Sequence, residues 1–303
     1  MIFVTGATGF AGRHLIASLS KWRKDIRVLI PPNQKTNTLP QGIPVEIAIS
    51  NLDDETNLRA ALKDVDTIFH LASDEHAGGN ANLQKVDIEG TIAITKAATE
   101  LDISRLIFLS QLGAEPSSAY PLLKAKGVAE QIIINSKIPY TIFKTGPIYG
   151  TGDHFINRVA AYLASLPIIS LLPDKGETLL QPVWINDIVT AMIWSTENPQ
   201  FVNRTFSIGG PEIISINKIF EMIMEQRNKK RIRLHFPSTS LRLFLLFWEQ
   251  LNHRLPISSF DIDNLATNRT TSLDTLTKYF GIQPKRFQRY LPTHRFTAPG
   301  KEY

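Results

Sequence analysis

The chain contains no cysteine, which excludes disulfides, thiolate metal centres and a cysteine nucleophile. It has no run of about 18 uninterrupted apolar residues, the length a membrane-spanning helix needs. No basic segment leads into an apolar core and a small-residue cleavage site, so a secretory leader is not expected and a cytoplasmic location is. Seven histidines are scattered along the sequence. His70, His76 and His154 show no metal-ligand spacing and read as core or loop residues, so no metal site is expected. No ordered Ser/His/Asp set points to a hydrolase, and neither internal repeats nor low-complexity segments are present. What is there is ordinary: 303 residues, 43% apolar and 20% charged, with 17 Gly and 18 Pro. That composition fits a globular protein able to bury a substantial core.

The net charge of +5 is unevenly spread. Residues 227–295 hold 13 Lys/Arg against 4 Asp/Glu, which leaves the preceding part of the chain net negative. The basic residues cluster in Lys229-Lys230-Arg231-Ile232-Arg233 and around Lys285, Arg286 and Arg289. The most apolar stretch, residues 241–251, lies in the same quarter. Residues 227–295 could therefore meet a protein partner or an anionic membrane surface. A solvated charged face and a buried helix are the plain alternatives. No aromatic-interleaved basic module accompanies the charge, so nucleic-acid binding is not expected.

The first residues carry the strongest signal. Met1-Ile2-Phe3-Val4 is a short apolar strand, and Thr5-Gly6-Ala7-Thr8-Gly9-Phe10-Ala11-Gly12 follows with glycines three apart, ahead of a helical segment from His14. A strand running through a Gly-rich turn into a helix N-terminus is a dinucleotide pyrophosphate site. Gly6 permits the tight turn, Gly9 lets backbone approach phosphate, and Gly12 lets the helix pack against the strand. Amide groups and the helix dipole then meet the negative charge.

Further strands are predicted at 26–30, 45–49, 67–71, 106–110 and 140–144, with helices over 56–62, 83–101 and 122–136. The loop 74–80 is polar and contains glycine. Strands alternating with helices imply a doubly wound, mostly parallel α/β sheet of Rossmann type, whose near-continuously apolar strands are covered on both faces. Residues 1–150 would form this domain. Residues 151–303 would form a smaller C-terminal α/β cap interleaved with the sheet, with helical patterns at 188–195 and 216–224.

These motifs resemble the short-chain dehydrogenase/reductase superfamily in its extended and atypical branches. Beyond the first glycine turn, the matching segments are Val65-Asp66-Thr67-Ile68-Phe69-His70-Leu71-Ala72, Val86-Asp87-Ile88-Glu89-Gly90-Thr91 and Ile107-Phe108-Leu109-Ser110. Gly146-Pro147-Ile148-Tyr149-Gly150 is similar to the loop covering the nicotinamide, and Gln181-Pro182-Val183-Trp184-Ile185-Asn186-Asp187 to a cap segment. The branch most resembled is the nucleoside-diphosphate-sugar epimerase-like group, which includes NmrA-like regulators and the Rossmann-type accessory subunit of respiratory complex I. The resemblance implies that Thr8 and the amides of Phe10 and Ala11 hold the pyrophosphate. It places Asn51 and Leu52 beside the adenine, and Leu71, Ala72 and Ser73 on the ribose and nicotinamide side. Gly146, Pro147 and Ile148 would cover the ring.

An acid at the end of the second strand selects NAD(H), and a cation selects NADP(H). Here the strand runs into Pro31-Pro32-Asn33-Gln34-Lys35. The missing acid favours NADP(H), with Lys35 as a candidate phosphate contact.

Enzymes of the superfamily use Ser, Tyr and Lys for proton transfer. Ser110 is the serine candidate, and Tyr120 with Lys124 has the i,i+4 spacing that puts both on one helix face. The family's Lys-to-Glu spacing instead selects Lys126 with Glu130, which places Leu122 where the tyrosine belongs. Lys144 and Thr145 stand where the family has arginine and proline. The resemblance therefore implies an NAD(P)-binding atypical member acting as an accessory, assembly or regulatory protein, peripheral to a membrane complex. The alternative is an active oxidoreductase or sugar-nucleotide epimerase using Tyr120 with Lys124 or Lys126.

Overall fold

The computed structural model describes residues 1–22, 25–34, 36–165, 169–228, 231–250, 258–294 and 296. They form two compact units. The first comprises residues 1–74, 82–145 and 185–207; the second comprises 75–81, 146–184 and the chain from Ile208 onward.

In the first unit, strands β1 (Ile2–Thr5), β2 (Ile26–Ile30), β3 (Glu46–Ile49), β4 (Thr67–His70), β5 (Arg105–Gln111) and β6 (Tyr140–Thr145) belong to one seven-stranded sheet. The remaining strand is Arg204–Ile208. Reading across from it, the sheet runs through β6, β5, β4, β1 and β2 to β3 at the far edge. The neighbouring strands from β3 to β6 all pair in parallel, with Thr5 opposite His70 and Ser110 opposite Lys144. Helices α1 (Phe10–Leu19), α2 (Glu55–Ala61), α3 (Gly90–Glu100) and α4 (Pro121–Asn135) connect these strands. The order reverses between β1 and β4, which makes the carboxyl ends of those two strands the switch point where an open α/β sheet binds ligands.

The residues explain this architecture. All four β1 residues are buried, as an apolar strand covered on both faces must be. Phe3, Leu29, Ile68, Leu106, Phe108 and Ile142 pack with Leu58, Ile94 and Ile133 of the helices on one side of the sheet. At the edge the rule lapses: β3 leaves Glu46, Ile47 and Ile49 exposed and only Ala48 half-buried. The segment predicted as one helix over 83–101 begins instead with a π-helical stretch, Gln84–Glu89, before α3.

The second unit is mixed. Helices His154–Ser165 and Ile216–Gln226 bury Ile156, Tyr162, Leu163, Ile219, Phe220 and Ile223 with Tyr149, Phe287 and Tyr290 in a core of its own. Among the described residues, three two-stranded ladders complete it. In one, strand Ile232–Phe236 pairs in parallel with Ile169–Pro173. No helix among the described residues is long and apolar enough to cross a membrane.

Candidate functional site

The turn from β1 to α1 is built around its glycines. Gly6 has φ +68°, and a Cβ there would lie 2.6 Å from the Leu71 carbonyl and 2.7 Å from the Ala72 nitrogen. Only glycine accepts both that backbone conformation and that contact. A Cβ on Gly12 would stand 2.2 Å from the Gly6 oxygen, so the helix touches the strand there. At Gly9 the Gly6 oxygen, 3.2 Å away, is the one neighbour a Cβ would meet, and the position otherwise opens outward. Gly9 caps α1 without a side chain, and no acid stands in the helix's first turn. A helix N-terminus approached by bare backbone and free of carboxylates suits a diphosphate. Thr8 Oγ1 donates to Gln34 Oε1 at 2.7 Å, tying this turn to the end of β2. Lys35, the predicted phosphate contact, lies outside the described residues.

Beneath the turn runs a buried polar chain that sequence reasoning did not find. Thr5 Oγ1 accepts from the amides of Leu71 and Ala72, both at 3.2 Å. Its own hydrogen is thus left for His70 Nδ1 at 2.8 Å. His70 then carries its proton on Nε2 and donates to Thr91 Oγ1 at 3.0 Å. Thr91 in turn donates to the Asp87 carbonyl at 2.6 Å. Every member has a partner, and the chain holds one imidazole tautomer. Burial, and then the Lys126 ammonium, push the His70 pKa down to about 4, so the ring is neutral at pH 7.

The Asp87 side chain points the same network at α4. Its Oδ1 lies 3.0 Å from Lys126 Nζ, with both side chains almost fully buried, and its Oδ2 accepts from the Asp74 amide at 3.1 Å. Lys126 also stands 5.6 Å over the Phe108 ring. On the neighbouring strands, Ser110 is buried and donates to Glu130 Oε1. Glu130 Oε2 meets Lys144 Nζ at 2.8 Å, and Lys144 also donates to the Ala114 carbonyl at 2.7 Å. The Ser110–Lys144 register creates this pairing, since direct cross-strand neighbours project to one face.

The structure thus gathers Gly6, Thr8, Gly9, Phe10, Ala11, Gly12, Leu71 and Ala72 around the carboxyl ends of β1 and β4, with Ser73 following on. Leu52 reaches inward to Gly90 of α3, where a Cβ would lie 2.8 Å from its Cδ1, while Asn51 is exposed. Lys124 is exposed and Lys126 buried. Tyr120 is the half-buried N-cap of α4, with φ −91° and ψ 120°, so it precedes the helix rather than sharing its face. Leu122, four residues before Lys126, is fully buried. Gly146, Pro147 and Ile148 belong to the second unit, where Val183 donates to the Pro147 carbonyl at 2.9 Å and Ile148 pairs with Val183. The rings of His76 and His154, also in that unit, lie 3.9 Å apart and tilted by 31°, and no metal-holding cluster is present among the described residues. The overlooked functional candidates are Thr5, His70, Asp87 and Thr91. Their signal was present as polar residues interrupting apolar strand and helix patterns, but their partners lie more than 60 residues away or in another element.

Residues 6–155 match the family model described as NAD(P)H-binding. The match falls mostly on the first unit, whose parallel sheet has the Rossmann-type α/β fold. Among proteins similar in sequence, the mitochondrial NADH dehydrogenase 1 alpha subcomplex subunit 9 of Arabidopsis thaliana is 24% identical, covering 90% of this chain and 70% of its own. The mouse protein of the same name is 26% identical over 81% of this chain and 64% of its own. The photosystem II assembly factor Ycf39 of Trieres chinensis is 25% identical over 69% and 63%. The chain thus spans about two thirds of the length of these relatives. Among solved structures, an NADPH-dependent quinone oxidoreductase from Escherichia coli in complex with NADPH superposes with a TM-score of 0.76 at 17% identity, covering 97% of this chain and 99% of its own. An epimerase from Methanothermobacter thermautotrophicus gives 0.74 at 16% identity, covering 96% and 89%. These likenesses show the fold.

Proposed function

We propose that this chain holds an NAD(P)(H) dinucleotide as a structural or sensory ligand and serves as an accessory, assembly or regulatory component of a larger complex, without turning over a carbonyl substrate. One observation carries the reading: the groups that proton transfer would require are already committed inside the fold. The single Ser110 hydrogen goes to Glu130, and the Lys126 ammonium is matched by a buried carboxylate, Asp87. The position four residues before Lys126 is Leu122, which has no proton to give. Tyr120 and Lys124 retain the required spacing, but Tyr120 lies outside the helix and Lys124 points to water.

The amides of Phe10 and Ala11 and the hydroxyl of Thr8 would hold the pyrophosphate, and Leu71, Ala72 and Ser73 would line the ribose. When bound, the nicotinamide supplies a hydride donor or acceptor. The end of β2 offers the Asn33 and Gln34 amides and no carboxylate, so nothing there repels a 2′-phosphate. This supports NADP(H) over NAD(H). The likeness to mitochondrial complex I subunits and to an assembly factor supports peripheral association with a membrane complex.

The test is native purification followed by mass spectrometry of the nucleotide and proteins that accompany the chain. Stoichiometric NADP(H) with a reproducible protein partner is expected, as is near-zero NADPH oxidation against carbonyls and sugar nucleotides. Turnover that disappears in Tyr120→Phe would overturn the accessory reading in favour of an enzyme.

A further inference from the structure

The central sheet is finished on one side by a strand open to solvent. Among the described residues β3 has β2 as its one sheet neighbour, and Ile47 and Ile49 are 43% and 64% exposed. The opposite edge is different: strand Arg204–Ile208 exposes Arg204 and Thr205 and buries Phe206 and Ile208. Position at an edge therefore does not by itself leave large apolar side chains in water.

Backbone hydrogen bonding defines what fits β3. The Ser50 amide donates to the Ile30 carbonyl at 3.1 Å, and successive residues of a strand direct their amide and carbonyl to opposite sides. Ser50, Ala48 and Glu46 thus turn these groups toward β2. Ile47 and Ile49 turn theirs outward, where they have no hydrogen-bond partner among the described residues. Such a row is completed by another β-strand, and the devices that keep natural edges from pairing are missing here. The register with β2 runs without a bulge, and no proline stands between Val45 and Asn51. The one charge on the strand is cancelled, since Glu46 Oε1 lies 2.8 Å from Arg27 Nε and Oε2 accepts from Arg27 Nη2 at 3.0 Å.

The strand is also its own complement. In an antiparallel pairing only outward-turned residues exchange hydrogen bonds across the new edge, so a second copy must set Ile47 and Ile49 against odd positions. With a two-fold axis at Ala48, Ile47 of each copy faces Ile49 of the other. These reciprocal pairs gather the isoleucines of both copies on one face of the joined sheet. Glu46 then faces Ser50, so no like charges are opposed. An axis at Ile47 would set Ile49 against Val45, which lies outside the strand, and an axis at Glu46 would oppose two carboxylates. Self-complementarity of this kind is what an isologous interface requires.

We infer that β3 pairs antiparallel with β3 of a second copy, joining the two seven-stranded sheets across a two-fold axis at Ala48. Each open edge is consumed by the other, so association closes at the dimer. The joined strands are short and the interface small, so the dimer dissociates on dilution. The inference goes beyond the proposed accessory role and needs no bound dinucleotide.

The experiment is sedimentation equilibrium of the full chain over a concentration series, beside an NADPH titration of dilute protein. The mass should rise with concentration from one chain to two. In I47K/I49K association should weaken at least tenfold, because the substitutions set like charges opposite one another. Both positions are exposed, so the variant should keep the unfolding midpoint and NADPH affinity of the dilute parent. The chain has no cysteine, so A48C places a single thiol on the axis. Opposed Cα atoms there lie about 4.5 Å apart, within the reach of a disulfide. Oxidised A48C should run as a covalent dimer. E46C should not, because its counterpart lies four positions, about 13 Å, along the paired strands. A parent that stays monomeric throughout would overturn the inference and leave the edge to a strand of another protein. A mass that grows past two chains, a dimer that I47K/I49K leaves intact, or absence of the A48C cross-link would overturn it as well. NADPH binding is read separately, so none of these results bears on the dinucleotide reading.

Discussion

Gly12 shows how little freedom a single position can have. Its missing Cβ would stand 2.2 Å from the Gly6 oxygen, a backbone atom that cannot rotate away. Gly12→Ala should therefore cost about 1–3 kcal/mol and abolish NADPH binding, read by denaturant midpoint and fluorescence titration. His70 makes a different kind of prediction. Its folded pKa of about 4 lies below the ordinary 6.5, first through burial and then through Lys126. The neutral ring contributes fully above pH 6.5, and its contribution is lost as pH falls to about 4. The difference is about 3 kcal/mol. The parent's loss of stability on acidification over that range should be shallower in His70→Gln, measured as urea midpoints. The comparison cancels Asp153, whose carboxyl burial pushes up to about 7 and which acts with the opposite sign. Lys126→Met, which strands the Asp87 carboxylate in the core, should destabilise by about 3–5 kcal/mol. Asp87→Asn added to it should restore much of that loss, because an amide needs no counter-charge and can still accept from Asp74.

At the scale of elements, helix α4 owes its position to Gly127. A Cβ there would meet the Glu115 carbonyl carbon at 2.3 Å and the Pro116 nitrogen at 2.5 Å. In an isolated helix, Gly→Ala gains up to about 1 kcal/mol of propensity. Here it should instead cost about 1–3 kcal/mol, because the helix must move off the 115–116 backbone and carry Lys126 with it. Thermal unfolding of Gly127→Ala would reveal which effect prevails. The elements also show where sequence patterns stop being legible. The apolar run of β3 reads like that of β1, yet β1 is central and β3 is the edge strand. Only the strand order distinguishes a strand covered on both faces from one left open. The pattern over 83–101 has helical periodicity throughout, but Asp87 and Thr91 are drawn into the buried chain from His70, and the first turns are π-helical there. That local change is decided by partners on other elements.

For the molecule as a whole, a ligand that binds the folded first unit and not the unfolded chain must raise its stability by mass action. NADPH at one hundred times its Kd should stabilise that unit by about 2.7 kcal/mol, raising its thermal midpoint by about 5–10 °C. NADH at the same concentration should raise it less. Equal shifts would show that the uncharged end of β2 does not discriminate between the two. With two compact units, the melt can contain two transitions. Only the one belonging to the glycine-turn domain should move with nucleotide.

The sequence alone determined the parallel α/β class and the dinucleotide turn, because both are local. Glycines at fixed spacing after a strand, and apolar runs alternating with helical periods, carry their meaning within a few residues. It also left two candidate lysines, Lys124 by its spacing from Tyr120 and Lys126 by the family resemblance. The state of the reaction groups was decided by tertiary structure alone. Ser110 meets Glu130 and Lys144 through strand register, and Lys126 meets Asp87 across elements 39 positions apart. Whether a charged side chain is spent inside the fold or offered to a ligand depends on which distant partner shares its low-dielectric surroundings. That is a property of the packed sheet rather than of any segment of the chain.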